Sequence, residues 1–284
     1  MRNEDRKAEN AFVAGAINYI VAAICILPGF LIETAPVSTG AVYSGLIMGL
    51  VYFLGFFFII YVVKWNGVSA TTAVGVLAML LPIAVAAAWW DKFPTAVQYA
   101  GITLAILALL LIGWKSEVSD NTDRPWFAPL AMLAFFLLCG CSRVAQEALN
   151  YVAIPADFDI VSGELAISEA DYLKSQRPTF VLSAFVAATV PSVILLVYMW
   201  LIRKHRFLWT EFAVGSVMGA TNVVQLYLVL KCLDQFPGYI VFPVTAAGSI
   251  LLTTLIAVAC FGERPSRKTY VGIAITVVAL FLLR

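Results

Sequence analysis

Long unbroken apolar runs separated by short polar ones set the pattern of this chain. The bilayer hydrocarbon is about 30 Å thick and a helix rises about 1.5 Å per residue, so a crossing needs about 20 apolar residues. Nine stretches reach or approach that length: Ala11–Leu31, Ala41–Val63, Ala70–Trp90, Thr95–Trp114, Trp126–Asn150, Pro178–Ile202, Phe212–Leu230, Phe236–Phe261 and Thr269–Leu283. The last has only 15 residues between Lys268 and Arg284, but both flanking cations can snorkel to the interface. The runs are continuous rather than alternating, which argues against a β-barrel and predicts an all-α polytopic membrane protein with nine transmembrane helices. The first run is longer than a signal-peptide core and no small-residue cleavage site follows it, so it is expected to stay in the mature chain.

The polar intervals are mostly tight, as at Asp91–Pro94. Tyr151–Arg177 is the exception, with five acids against two bases. Within it Ser168 and Asp171 have the spacing of a capping box, which predicts the start of a short extramembrane helix.

An internal repeat organises the whole. Gly45, Met48 and Gly49 in the second stretch recur as Gly215, Met218 and Gly219 in the seventh, 170 positions later. Pro94, Tyr99, Gly101 and Ile102 recur as Pro265, Tyr270, Gly272 and Ile273, 171 positions later. The first four helices thus correspond to the last four, with the fifth between them, a 4+1+4 arrangement. Corresponding helices lie five crossings apart, and an odd number of crossings reverses direction, so the halves are expected to be inverted copies. The first half covers 11–114; the second covers 126–284 and includes the polar loop 151–177. Inverted repeats are a common construction of secondary transporters.

Composition narrows the partners. The chain is 62% hydrophobic and 12% charged, about half the charged fraction of ordinary soluble domains. Lys+Arg 18 against Asp+Glu 17 leaves no basic excess for nucleic acid. The expected partners are the lipid bilayer and a small-molecule substrate, with a homodimer left open. The cysteines Cys25, Cys139, Cys141, Cys232 and Cys260 lie in or beside apolar runs, without zinc spacing or loop placement, and read as small hydrophobes. No cofactor is expected: there is no Walker loop and no His/Cys/carboxylate cluster at metal spacing. Without paired acids or an activated nucleophile, the chain does not read as an enzyme. With the N-terminus inside, most Lys and Arg, Lys64, Lys115 and Arg203 among them, fall on the cytoplasmic side.

The C-terminal stretch Val241–Leu252, with Pro243 and Gly248, followed by Phe261, Gly262 and Glu263 and then by Tyr270 and Gly272, resembles the drug/metabolite transporter superfamily in its EamA-like branch. Asn66 and Gly67, with Pro82 and then Phe93 and Pro94 beyond, look like the same unit in the first half, and Asn18-Tyr19 resembles the start of that family's second helix. The resemblance implies a ten-helix pattern, here lacking its first helix, in a bacterial inner membrane. It also implies the N-terminus of this chain outside, against the charge count. Where the family often has a lysine in the fifth helix, Glu147 stands here.

Polar residues inside spans are costly in lipid and usually face a cavity or each other. On the fifth helix Arg143, Gln146, Glu147 and Asn150 fall within about 100° of arc. They read either as a cavity stripe with an Arg143–Glu147 couple or as a helix end entering water. Asn222 and Gln225 on the seventh helix and Asn18 on the first read as interhelical glue or as cavity lining. Thr245 and Ser249 follow Pro243 by a turn or so, as in a locally opened helix at a binding site, or bond their own carbonyls. His205 reads as an interfacial anchor. The candidate substrate-binding residues are therefore Asn18, Arg143, Gln146, Glu147, Asn222, Gln225, Thr245 and Ser249. The expected function is a secondary transporter of a small organic metabolite or drug-like solute working by alternating access, with proton coupling resting on Glu147. A non-transporting scaffold or partner subunit is the alternative.

Overall fold

The computed structural model describes residues 2–33, 35–113, 125–155, 168–205, 207–261 and 267–282. Every regular element among them is a helix: α1 (Arg2–Ile32), α2 (Thr39–Leu77), α3 (Leu80–Trp89), α4 (Ala96–Gly113), α5 (Ala128–Val152), α6 (Glu169–Leu201), α7 (Trp209–Leu233), α8 (Gly238–Phe261) and α9 (Arg267–Leu282). Among the described residues, six segments are long and apolar enough to cross a membrane: Glu9–Ile32, Thr39–Asn66, Thr71–Trp89, Ala128–Val152, Glu169–Leu201 and Trp209–Leu233. In hydrocarbon every backbone polar group must be satisfied within its own segment, which helices do. The protein is an integral membrane protein of the α-helical class. Trp89, Trp126, Trp200 and Trp209 are exposed near helix ends, as interfacial tryptophans are.

Two boundaries differ from the sequence pattern. A polar break was expected between Val63 and Ala70, yet α2 runs through it to Leu77. Lys64 and Asn66 are tolerated there, Asn66 donating from Nδ2 to the Val62 carbonyl one turn back (3.2 Å). The interruption falls instead at Ala78-Met79. Pro82 explains it, having no N–H and a ring that crowds the carbonyl four residues earlier, which is that of Ala78. Leu81 N–H bonds that carbonyl instead, at 3.3 Å. The second difference concerns Ser168. Its hydroxyl does cap a helix, accepting from the Asp171 N–H at 3.2 Å, but that helix is α6 itself, continuing through Pro178 and Pro191 to Leu201. Residues 169–177, expected as part of a loop, are its first turns.

The chain forms two compact units, Met1–Phe57 with Ala145–Gln235, and Phe58–Val144 with Phe236–Arg284. Each unit takes helices from both halves of the sequence.

In the first unit, α1 and α2 are antiparallel. Tyr19 donates its hydroxyl to the Tyr52 carbonyl at 2.9 Å, and Phe12 stacks on Phe57 with centroids 4.6 Å apart. The paired glycines make the closest backbone approaches described for this unit. A Cβ on Gly45 would lie 2.5 Å from the Phe180 carbonyl oxygen and 2.8 Å from Ser183 Cβ, and one on Gly49 would meet the Ala184 carbonyl and Ala187. A Cβ on Gly215 would lie 2.6 Å from the Ala14 carbonyl oxygen and 2.8 Å from Ile17 Cβ, and one on Gly219 would lie 2.5 Å from the Asn18 carbonyl oxygen and 2.9 Å from Val21 Cβ. Each glycine therefore sits over the carbonyl of one residue and the side chain three further on. Numbers rise together along both pairs, so α2 runs parallel to α6 and α7 parallel to α1. Since α1 opposes α2, it also opposes α6. Helices in lipid gain little from the hydrophobic effect on meeting, and small residues supply close van der Waals approach instead.

In the second unit, Val62 of α2 packs with Ala131 and Phe135 of α5, and Gly140 of α5 lies over Leu81 and the Ala78 carbonyl. Ile83 of α3 and Ile102 of α4 form a second cluster with Ile106 and Tyr239. In this unit α4 also packs along α9. Pro265 of the second repeat anchor lies outside the described residues, as do Gly262 and Glu263.

Candidate functional site

Within the polar stripe of α5, Gln146 and Glu147 are buried in protein and Arg143 and Asn150 are half-buried. Gln146 is 7% exposed and Glu147 2%, and Leu149, beyond both, is also buried. Arg143, in the second unit, donates from Nη1 to the Gly75 carbonyl of α2 at 3.0 Å. Asn150, in the first, donates from Nδ2 to the Leu233 carbonyl at the end of α7 (2.9 Å). The stripe thus holds two amides and a carboxylate in the first unit and begins with a guanidinium fixed to a backbone carbonyl in the second.

Asn18 and Asn222 come together. Asn222 donates from Nδ2 to Asn18 Oδ1 at 2.8 Å, joining α7 to α1 across 204 positions. Asn18 is 2% exposed, and the bond lies one turn from the close approach at Gly219. This is the arrangement of interhelical glue. Gln225, one turn further, is on the exposed side of α7. Thr245 bonds its own helix, donating to the carbonyls of Val241 (2.8 Å) and Phe242 (3.1 Å). Ser249 is exposed on α8 beside Gly248, where an added Cβ would meet nothing within 4 Å. Thr245, Gly248 and Ser249 therefore form one open strip of small residues in the second unit.

Two polar clusters in the first unit were not anticipated. At one end, Gln176 of α6 accepts from the Ser38 N–H (2.8 Å) and donates to the Pro36 carbonyl (3.0 Å). Ser38 donates its hydroxyl to the Ala153 carbonyl at 2.6 Å. Arg177 pairs with Asp234 just beyond α7. Lys174 pairs with Asp171 at 2.7 Å, and the Ser168 hydroxyl donates to the same carboxylate at 2.7 Å. At the opposite end, Lys204 adopts a left-handed φ of 52°, which closes α6 with the His205 N–H on the Met199 carbonyl at 3.0 Å. The His205 ring then lies 2.9 Å from Glu211 of α7 and 3.7 Å from Glu9 of α1, its side chain only 7% exposed. It is packed between two carboxylates. A usable signal existed: Arg177 directly precedes the apolar run of α6 and Asp234 directly follows that of α7. Consecutive antiparallel helices bring such ends together.

No known family profile matches the chain. A protein of Haemophilus influenzae described as uncharacterized is 26% identical over 196 residues, covering 66% of this chain and 64% of that protein. The match thus spans just under two thirds of the relative's length. A protein crystal structure matches 98% of this chain and 90% of its own, with a TM-score of 0.69 and 13% identity. The helical fold is thus shared with a solved protein.

Proposed function

We propose that the protein is a secondary transporter of the drug/metabolite class, moving a small organic solute across a bacterial inner membrane by alternating access. The observation that supports this most is the opposed direction of α1 and α6 together with the matched glycine contacts, Gly45 and Gly49 on α6 and Gly215 and Gly219 on α1. Two antiparallel copies of one helical unit have equivalent packing available facing either side, which a carrier needs and a scaffold does not. Within this reading the solute meets Gln146 and Glu147, buried polar groups of α5 in the first unit. Glu147 is the acid that exchanges a proton with it.

A non-transporting scaffold is the second reading, favoured by the mutual satisfaction of Asn18 and Asn222. Flux of a panel of labelled amino acids, nucleosides and cationic drugs into proteoliposomes separates the two. The transporter reading expects protein-dependent uptake of at least one solute. Glu147→Gln should reduce that uptake at least tenfold while the protein remains folded, and a proton gradient should drive it only in the parent. Folded protein that moves none of the solutes would favour the scaffold; uptake unaffected by Glu147→Gln would remove that residue from the site.

A further inference from the structure

We propose that the first unit holds a binding site for a phosphate-bearing anion at the end where α5 and α7 stop and α6 begins. A pocket of about 450 Å³ lies there, and Asn150, Leu173, Lys174, Arg177, Lys231 and Asp234 are among its lining residues. Three cations face one carboxylate, with Asp171 on the outer side of Lys174.

Arg177 is the centre of the argument. It is 5% exposed, and a guanidinium removed from water is costly unless its donors are satisfied. Asp234 takes Nη2 and Tyr227 gives the side chain a second partner, while the buried Nε has no hydrogen-bond partner among the described residues. The Arg177 side chain lines the pocket. The helix dipole accounts for only one of the cations. Lys231 sits in the last turn of α7, where positive charge is favoured, but Lys174 and Arg177 lie in the early turns of α6, where negative charge is. A tetrahedral anion would draw the Arg177 guanidinium toward the pocket through one oxygen and reach Lys174 and Lys231 through the others, making short charge-assisted bonds. At a helix end, the phosphate could belong to a lipid headgroup or to a soluble phosphate ester.

The experiment uses the full chain purified in a neutral detergent. Its melting temperature is followed against sn-glycerol 1-phosphate and against phosphatidylglycerol, with phosphatidylcholine as control. At least one phosphate probe should raise the midpoint, and added salt should weaken the effect. Phosphatidylglycerol alone would identify a headgroup, and a response to the soluble ester would identify a free-anion site. Joint replacement Lys174→Gln and Lys231→Gln, both at exposed positions, should weaken binding by about tenfold without loss of fold. Arg177→Lys keeps the charge, loses the fork and should also bind more weakly. No stabilisation by either probe beyond the control, or unchanged binding by the Lys174→Gln/Lys231→Gln protein, would overturn the proposal.

Discussion

In the apolar middle of a helix an amide side chain has no water to bond, so its polar groups must find protein. Asn18 and Asn222 solve this for each other at 2.8 Å. Replacing Asn222 by Ala should leave the buried Asn18 carbonyl without that donor and destabilise the protein by about 1–2 kcal/mol, read as a lowered midpoint in thermal melts. Replacing both residues by Leu should recover most of the loss, because no polar group is then stranded. If the single and double variants are equally unstable, packing rather than the bond holds the pair. At this scale the sequence was informative about which residues are special and silent about their partners. Asn18, Gln146, Glu147 and Asn222 stand out as polar residues in apolar runs. That Asn18 meets Asn222, or that Arg143 meets the Gly75 carbonyl, depends on contacts across tens to hundreds of positions that hydrophobic patterning does not encode. Arg177 was passed over because it lay at the edge of a polar interval, where a charge is ordinary.

Helices were the more legible objects, since length and hydropathy are local properties. Their ends were legible where chemistry marks them, as at Ser168, and misleading where polarity alone was used, as at Lys64–Ala70 within α2. Proline geometry, through Pro82 and the Ala78 carbonyl, located the true interruption. The glycines make the element-scale prediction. Gly45→Leu or Gly215→Leu would drive a side chain into a neighbouring helix carbonyl 2.5–2.6 Å from the added Cβ. With backbone as the obstacle, each should lower stability by about 3 kcal/mol or more, in the range of severe overpacking. Gly248→Ala lies in open space and should leave the fold unharmed, while narrowing the strip at Thr245 and Ser249. Melting curves of the variants, run side by side, check the contrast; equal tolerance at Gly45 and Gly248 would show that the close approach is not what the glycines serve.

At the scale of the molecule, the repeat read from Gly45 and Gly215 pointed to duplicated halves, but it did not indicate that the compact units would be assembled from pieces of both. The first unit joins Met1–Phe57 to Ala145–Gln235, so the helix that receives Gly45 and Gly49 lies more than a hundred residues downstream. This ordering has a consequence for biosynthesis. When α1 and α2 leave the translocation machinery, the glycine faces on α2 have no mate, and they must wait in lipid until α6 arrives. A gene cut between α5 and α6 should then yield two polypeptides that are each degraded when made singly and that rescue one another when made together. Copurification of the pair through a tag on one piece would reveal this, whereas a long-lived N-terminal piece on its own would mean that nascent helices settle before their later neighbours appear.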